Sequence, residues 1–180
     1  MPAVSSWQTR ANALTAIRLV AAPAMFAAIC AGEAWIATAL FALAVATDFA
    51  DGWIARRYGE ESALGGLVDH AVDAVFVTSG CAALASLGVL PALLPALIAV
   101  AFVQYAVDSR AGIARSLRAS WLGRWNGIAY YVLLGVPVVR DALGLGWPAD
   151  PVIRGVGWAL VLSTLLSMAD RARALVRNAG

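Results

Sequence analysis

The sequence predicts an all-α integral membrane protein, a single domain over residues 1–180 with six transmembrane helices and both termini cytoplasmic. Three observations carry this expectation. Hydrophobic residues make up 62% of the chain and charged residues 13%, against about 45–50% and about 25% in an ordinary soluble domain. The apolar residues gather into six runs of roughly the 20-residue length that crosses a bilayer. The thirteen basic side chains, every one of them Arg, fall mostly on one side of those runs.

A soluble fold of this size cannot hide so much apolar surface, so lipid takes the place of water. In lipid an open sheet leaves backbone groups unsatisfied, which makes each run a helix. The runs cover residues 14–31, 34–54, 64–87, 90–108, 125–140 and 152–169. They are separated by Gly32-Glu33, by the polar stretch from Arg56 to Ser62, and by Gly88 to Pro91. An Arg-rich stretch over 109–124 and the turn from Trp147 to Pro151 complete the punctuation. The first run follows Thr15 without a small-residue cleavage pattern, so it is expected to be a retained span rather than a signal peptide.

Orientation follows from the arginines. Eleven of them (Arg10, Arg18, Arg56, Arg57, Arg110, Arg115, Arg118, Arg124, Arg171, Arg173 and Arg177) belong to one side, and only Arg140 and Arg154 to the other. Arg-rich sides stay in the cytoplasm. Trp7, Trp35, Trp53, Trp121, Trp125, Trp147 and Trp158 mostly flank run ends, where interfacial anchors belong. Cys30 and Cys81 lie inside apolar runs and are expected to be small core residues rather than a disulfide. The formal charge of +2 names no partner, and no nucleic-acid partner is expected.

Carboxylates are costly in a bilayer, so their positions need a reason. Asp48, Asp51, Asp69 and Asp73 fall within one 26-residue stretch. The first two are three residues apart near the cytoplasmic end of the second run, and the last two are four apart near the start of the third. Each spacing puts its pair on one helix face. The two runs are antiparallel neighbours, so the pairs can meet at one depth. Four carboxylates packed together repel, and hard divalent cations that also bind phosphate relieve that repulsion. Two ions in such a site can clamp the attacking and leaving oxygens of a phosphoryl transfer. The competing reading pairs the aspartates with Arg56 and Arg57 as buried salt bridges, but two arginines cannot neutralise four aspartates.

The stretch DFADGWIARRYGEESALGGLVDHAVD resembles the signature of the CDP-alcohol phosphotransferase (CDP-alcohol phosphatidyltransferase) family, D-x2-D-G-x2-A-R-x8-G-x3-D-x3-D. The matching residues are Asp48, Asp51, Gly52, Ala55, Arg56, Gly65, Asp69 and Asp73, with every spacing intact. Eight fixed positions, each at usage on the order of 5–10%, make a chance match very rare. The six-run pattern and Asn12-x-Leu14-Thr15-x-x-Arg18 are also similar to the family.

The resemblance implies roles. Asp48, Asp51 and Asp69 would hold metal ions, Mg²⁺ or Mn²⁺ and two of them. Asp73 would ligate metal and act as base on the acceptor hydroxyl. Gly52, Ala55 and Gly65 would let the cytidine nucleotide approach the helix backbones. Arg56 would bind the diphosphate, which suits its fork of donors. The implied partners are CDP-diacylglycerol or another CDP-alcohol as donor, a small alcohol acceptor, membrane lipids and a second copy of the chain in a homodimer. The implied place is the bacterial inner membrane, with the active site facing the cytoplasm.

The acceptor is harder to read. Relatives that make phosphatidylglycerophosphate often carry Pro after the third aspartate and Lys after the fourth, where this chain has His70 and Ala74. Serine-using relatives often have Ser at the first of these positions, and it is absent too. His70 is expected at a cavity edge or in an interhelical hydrogen bond, with a catalytic or acceptor-binding role as the other reading. Arg110, Arg115 and Arg118 read as topological charges that meet anionic lipid. Asp108 is expected to pair with one of the arginines in this stretch. Gly123-Arg124 resembles the Gly-Lys of relatives with phosphorylated acceptors, so Arg124 is expected to bind an acceptor phosphate. Glycerol 3-phosphate is the preferred acceptor, with inositol phosphate or another polar alcohol as the alternative. From a different class, an ion or proton transporter also uses intramembrane carboxylates. Against it, runs four to six lack acidic residues deep enough to continue a path.

Overall fold

The structure is a computed structural model, and it describes residues 10–58, 63–110 and 121–179. Among the described residues the chain forms six helices and no strand. These are α1 (Arg10–Cys30), α2 (Ala34–Tyr58), α3 (Ala63–Ser86), α4 (Leu93–Arg110), α5 (Trp121–Ala142) and α6 (Asp150–Ala179). The arginines of the expected cytoplasmic stretches, Arg115 and Arg118, lie outside the described residues, as do Glu60, Glu61 and Trp7.

The three tight connections share one mechanism. Gly32, Gly88 and Gly144 follow α1, α3 and α5 with φ of 75°, 74° and 63°, a conformation glycine adopts without steric cost. At each, two backbone bonds satisfy carbonyls that the helix end would otherwise orphan. Glu33 N–H donates to Ala28 C=O and Gly32 N–H to Ile29 C=O, and the same pair of bonds recurs at Val89/Leu84 with Gly88/Ala85 and at Leu145/Arg140 with Gly144/Asp141. This is the Schellman arrangement. Behind Gly88 the buried Val89 and Leu84 bring an apolar side chain to each end of the outer bond. Arg154 Nη2 donates to Gly88 C=O, and Arg140 donates to Asp141, to Asp150 and to Pro148 C=O, each at 2.7 Å. Both arginines of the Arg-poor side are thus held by structural partners.

α1 packs most extensively against α3 and α2, and α4, α5 and α6 close the bundle around α3 and α2. Small buried residues (Ala21, Ala22, Ala28, Ala37 and Ala44) line the contacts of α1 and α2, while Met25, Phe76, Leu94 and Leu134 fill the centre. Small residues let membrane helices approach closely, and short polar side chains then reach across. Ser79 donates to Ala22 C=O at 2.9 Å, Thr38 to Val138 C=O at 3.1 Å, and Gln104 to Met168 C=O at 3.3 Å. Tyr130 and Thr164 share a buried bond between α5 and α6.

Large apolar side chains also cover the outside, among them Val20, Phe49, Val107 and Leu162. Patches on this scale mark a surface that meets something other than water. Three helices are long and apolar enough to cross a membrane, over Ala34–Asp51, Gly65–Ser86 and Asp150–Ala174. α1 and α4 carry shorter apolar segments, Leu14–Cys30 and Leu93–Val107. α5 falls in neither group, and polar residues occupy both its ends, Arg124 and Asn126 at one and Arg140 and Asp141 at the other. The described tryptophans with placed side chains, Trp35, Trp53, Trp125, Trp147 and Trp158, are all exposed. Cys81 is a buried free thiol as expected, whereas Cys30 is exposed beside Ser86. Its place on the last residue of α1, next to the Gly32 turn, takes it out of the core.

A Cβ built on Gly157 would lie 2.6 Å from Pro91 Cδ, a rigid ring atom, whereas one on Gly155 meets nothing within 4 Å. Overpacking of this kind costs about 1–3 kcal/mol, more than the roughly 1 kcal/mol gained by removing a helical glycine. Gly157→Ala should therefore lower the melting temperature in detergent while Gly155→Ala raises it or leaves it unchanged. Equal shifts for the two variants would rule out the close α6–Pro91 contact.

Candidate active site

The site lies at the end of the bundle opposite the three glycine turns, where α2 ends and α3 begins. α2 contributes Asp48 and Asp51 from one face, and α3 contributes Asp69 and Asp73 from one face. α1 contributes Arg18 from its third turn. Arg18 is fully buried, and its guanidinium touches all four carboxylates. Nη1 donates to Asp48 Oδ1 at 3.1 Å and to Asp73 Oδ1, and Nη2 donates to Asp51 Oδ2 and Asp69 Oδ1. Two further donors complete the cluster. Thr15 Oγ1, one turn before Arg18, donates to Asp69 Oδ1 at 3.4 Å. Tyr131 OH, from α5, donates to Asp73 Oδ1 at 3.0 Å.

The cluster opens on one side. The Asp51 side chain is 7% exposed and Asp73 17%, whereas Asp48 is 45% exposed. Asp48 is thus the carboxylate most open to the outside, with Asp51 and Asp73 deeper in. One guanidinium neutralises one of four carboxylates, which leaves a strong negative field for cations or for a cation-bound phosphate. The donor set fits a hard divalent cation, which prefers several oxygen ligands. One ligand atom from each of Asp48, Asp51 and Asp69 lies within 4.8 Å of the others, and the same holds for Asp69, His70 and Asp73. Asp69 belongs to both groups, so two ions held this way would share it.

The other expected residues separate. The side chains of Gly52, Ala55 and Arg56 fall outside what the structure describes, although their backbone forms the last turns of α2. The side chain of Asp108, and with it the expected ion pair, also falls outside. Gly65 lies in the first turn of α3. Arg124 is exposed near the start of α5 and makes no ion pair among the described residues. Arg57 lies over the Trp53 ring at 5.5 Å rather than on an aspartate. His70 is exposed beside Asp69 and Asp73, and its ring meets Tyr105 of α4 edge-on at 6.1 Å, an interhelical ring contact at the edge of the carboxylate cluster. Arg171 of α6 lies over the same Tyr105 at 5.5 Å.

Sequence reasoning counted Arg18 as a topological charge and missed its place at the centre of the tetrad. The available signal was its position eight residues into α1 on a run with no other charge through Cys30. A buried ionisable residue in such a run calls for a partner of opposite charge. Tyr131 carried a weaker signal, a hydroxyl among Ala129, Val132 and Leu133.

Comparison with known proteins decides the family. The family model for CDP-alcohol phosphatidyltransferase matches residues 8–169, nearly the whole chain. The chain belongs to the CDP-alcohol phosphatidyltransferase family. Among its relatives is a protein of Mycobacterium tuberculosis named as a probable phosphatidylglycerophosphate synthase. It is 32% identical over 177 residues, covering 94% of this chain and 83% of that protein. A protein of Cereibacter sphaeroides named CDP-diacylglycerol–glycerol-3-phosphate 3-phosphatidyltransferase is 32% identical over 135 residues, covering 69% of this chain and 61% of its own length. No solved structure matches the chain significantly. As a CDP-alcohol phosphatidyltransferase the chain is a membrane enzyme, and the transporter alternative falls away. In agreement, Asp141 lies in the last turn of α5 and Asp150 opens α6, while Asp170 follows the apolar run expected over 152–169.

Tyr131→Phe removes one donor from Asp73 and leaves the ring in place. A hydrogen bond to a charged group contributes about 1.5–3 kcal/mol. Transfer should slow by roughly tenfold or more, and the melting temperature should fall by only several degrees. Unchanged turnover would mean that the Tyr131 contact does not position Asp73.

Proposed function

We propose that this enzyme transfers a phosphatidyl group from CDP-diacylglycerol to glycerol 3-phosphate and releases CMP. The observation that carries the reading is the convergence of four carboxylates from α2 and α3 on one partly open site. The preference for glycerol 3-phosphate draws on the names of the relatives.

In this reading Asp48, Asp51 and Asp69 hold two divalent ions, Mg²⁺ or Mn²⁺, and Asp73 helps to ligate them. Ions bound there would polarise the transferred phosphate and offset charge developing on it. The remaining steps belong to the chain's own residues. Asp73, held by Tyr131, takes the proton of the acceptor hydroxyl. The acceptor oxygen forms a bond to the phosphorus nearer the lipid, the bond from that phosphorus to the CMP oxygen breaks, and CMP leaves. Gly52, Ala55 and Gly65 leave room for the nucleotide against the helix backbones. Arg56 holds the donor diphosphate with its planar fork. Arg124, beyond the tetrad on α5, binds the phosphate of the acceptor.

The proposed setting is a single domain over residues 1–180 with six spans, both termini in the cytoplasm and the site facing the cytoplasm of a bacterial inner membrane. With Arg18 removed from the topological count, the arginines still divide ten to two, which supports that orientation. A homodimer is proposed from the family resemblance.

Purified protein given CDP-diacylglycerol and a panel of acceptors tests the reading by thin-layer chromatography. Glycerol 3-phosphate should yield phosphatidylglycerophosphate with Mg²⁺ or Mn²⁺ and nothing in EDTA. Arg124→Ala should raise the acceptor KM by roughly ten- to a hundredfold, the worth of one charge-assisted contact, and leave CDP-diacylglycerol binding nearly unchanged. Product from serine, inositol phosphate or inositol in place of glycerol 3-phosphate would refute the acceptor assignment. Full activity in chelator would refute the metal chemistry.

A further inference from the structure

We propose that Arg18 is an internal counterion that competes with divalent cations for the aspartate tetrad and leaves it when they enter. The inference rests on the reading of the tetrad as a metal site, and it adds a residue outside the Asp signature to the control of that site.

The geometry makes the two occupants exclusive. The oxygens that receive the guanidinium are Asp48 Oδ1, Asp51 Oδ2, Asp69 Oδ1 and Asp73 Oδ1, one from every carboxylate available for ligation. Nη2 sits between Asp51 and Asp69, both members of the Asp48–Asp51–Asp69 group, and Nη1 reaches Asp73 of the Asp69–His70–Asp73 group. Two ions in a paired site stand about 3.5–4 Å apart, and a guanidinium cannot share that space with them. Like charge at such a distance repels strongly in a buried setting. Arg18 is fully buried, so its charge has no water to fall back on while it stays there.

The guanidinium is also not fully bound where it is. Arg18 Nε is buried and has no hydrogen-bond partner among the described residues. A permanent structural arginine would be expected to satisfy all its donors. One unmet donor at the root of the fork fits a side chain whose other position satisfies it better. Asp73 Oδ1 meanwhile accepts from Nη1 as well as from Tyr131, and a guanidinium on that oxygen disfavours its taking a proton. Withdrawal of Arg18 therefore does two things together. It frees the ligand oxygens and frees Asp73, and it makes a guanidinium available to an anionic group beside the loaded site. In the absence of metal the same residue holds the four carboxylates together and limits their repulsion.

Binding of Mn²⁺ alone, read from the free-ion EPR signal of the detergent-solubilised full chain without substrate, tests this. Removing a resident cation should tighten Mn²⁺ binding, so Arg18→Gln should lower the Kd by about tenfold or more. Arg18→Lys, which keeps the charge without the fork, should fall between. Melting temperatures in EDTA and in Mn²⁺ check folding and give a second readout. The Gln variant should lose more stability in EDTA than the wild type and recover more with Mn²⁺. Equal or weaker Mn²⁺ binding by a folded Arg18→Gln would overturn the counterion role and leave the metal reading standing. Absence of Mn²⁺ binding in both proteins would overturn both.

Discussion

Four carboxylates held together at the end of an apolar bundle form the constraint around which this protein is organised. Their mutual repulsion in a poorly hydrated setting is large, and the fold contains it with donors drawn from two directions. Arg18 and Thr15 come from α1 and Tyr131 from α5, and the aspartates of the α2–α3 pair accept from them. The extensive packing of α1 on both α2 and α3 follows from that requirement. Alanines at the contacts let the backbones come close enough for a guanidinium to reach across two helices. The rigid end of the bundle, with its three glycine-terminated helices, lies away from the site. Chemistry and capping are thus divided between the two ends.

Helix existence was legible because a bilayer-length apolar run has few alternatives. The six expected runs correspond to α1–α6 with ends shifted by only a few residues, apart from α6, which extends ten residues past the expected end at 169. The pairing of Asp48 with Asp51 and of Asp69 with Asp73 was legible as well, since spacing alone fixes which residues share a helix face. Arg18 was not legible in the same way. Spacing orders residues within a helix, but says nothing of which third helix inserts between two others. Tyr131 was hidden for the same reason. Cys30 shows the converse error, since membership of an apolar run does not guarantee burial at the run's last residue.

The division of labour within the site follows the same line. The aspartates sit on two helices joined closely in sequence, and their geometry serves any alcohol that brings a hydroxyl to the phosphate. In the proposed reading, selection of the alcohol falls to residues outside the tetrad. His70, Tyr105 and Arg171 form a ring and cation cluster next to the tetrad, and Arg124 lies near the start of α5. These come from α3, α4, α6 and α5, so in that reading a change of acceptor needs no change in the aspartates.

Crystals grown with Mn²⁺ and a cytidine nucleotide, measured at the manganese absorption edge, test the central claim most directly. The carboxylate tetrad as a metal centre predicts anomalous peaks between α2 and α3, in contact with Asp48, Asp51, Asp69 and Asp73, and an Arg18 guanidinium withdrawn from all four. Absence of any peak there, with Arg18 still spanning the carboxylates and nucleotide bound, would contradict it.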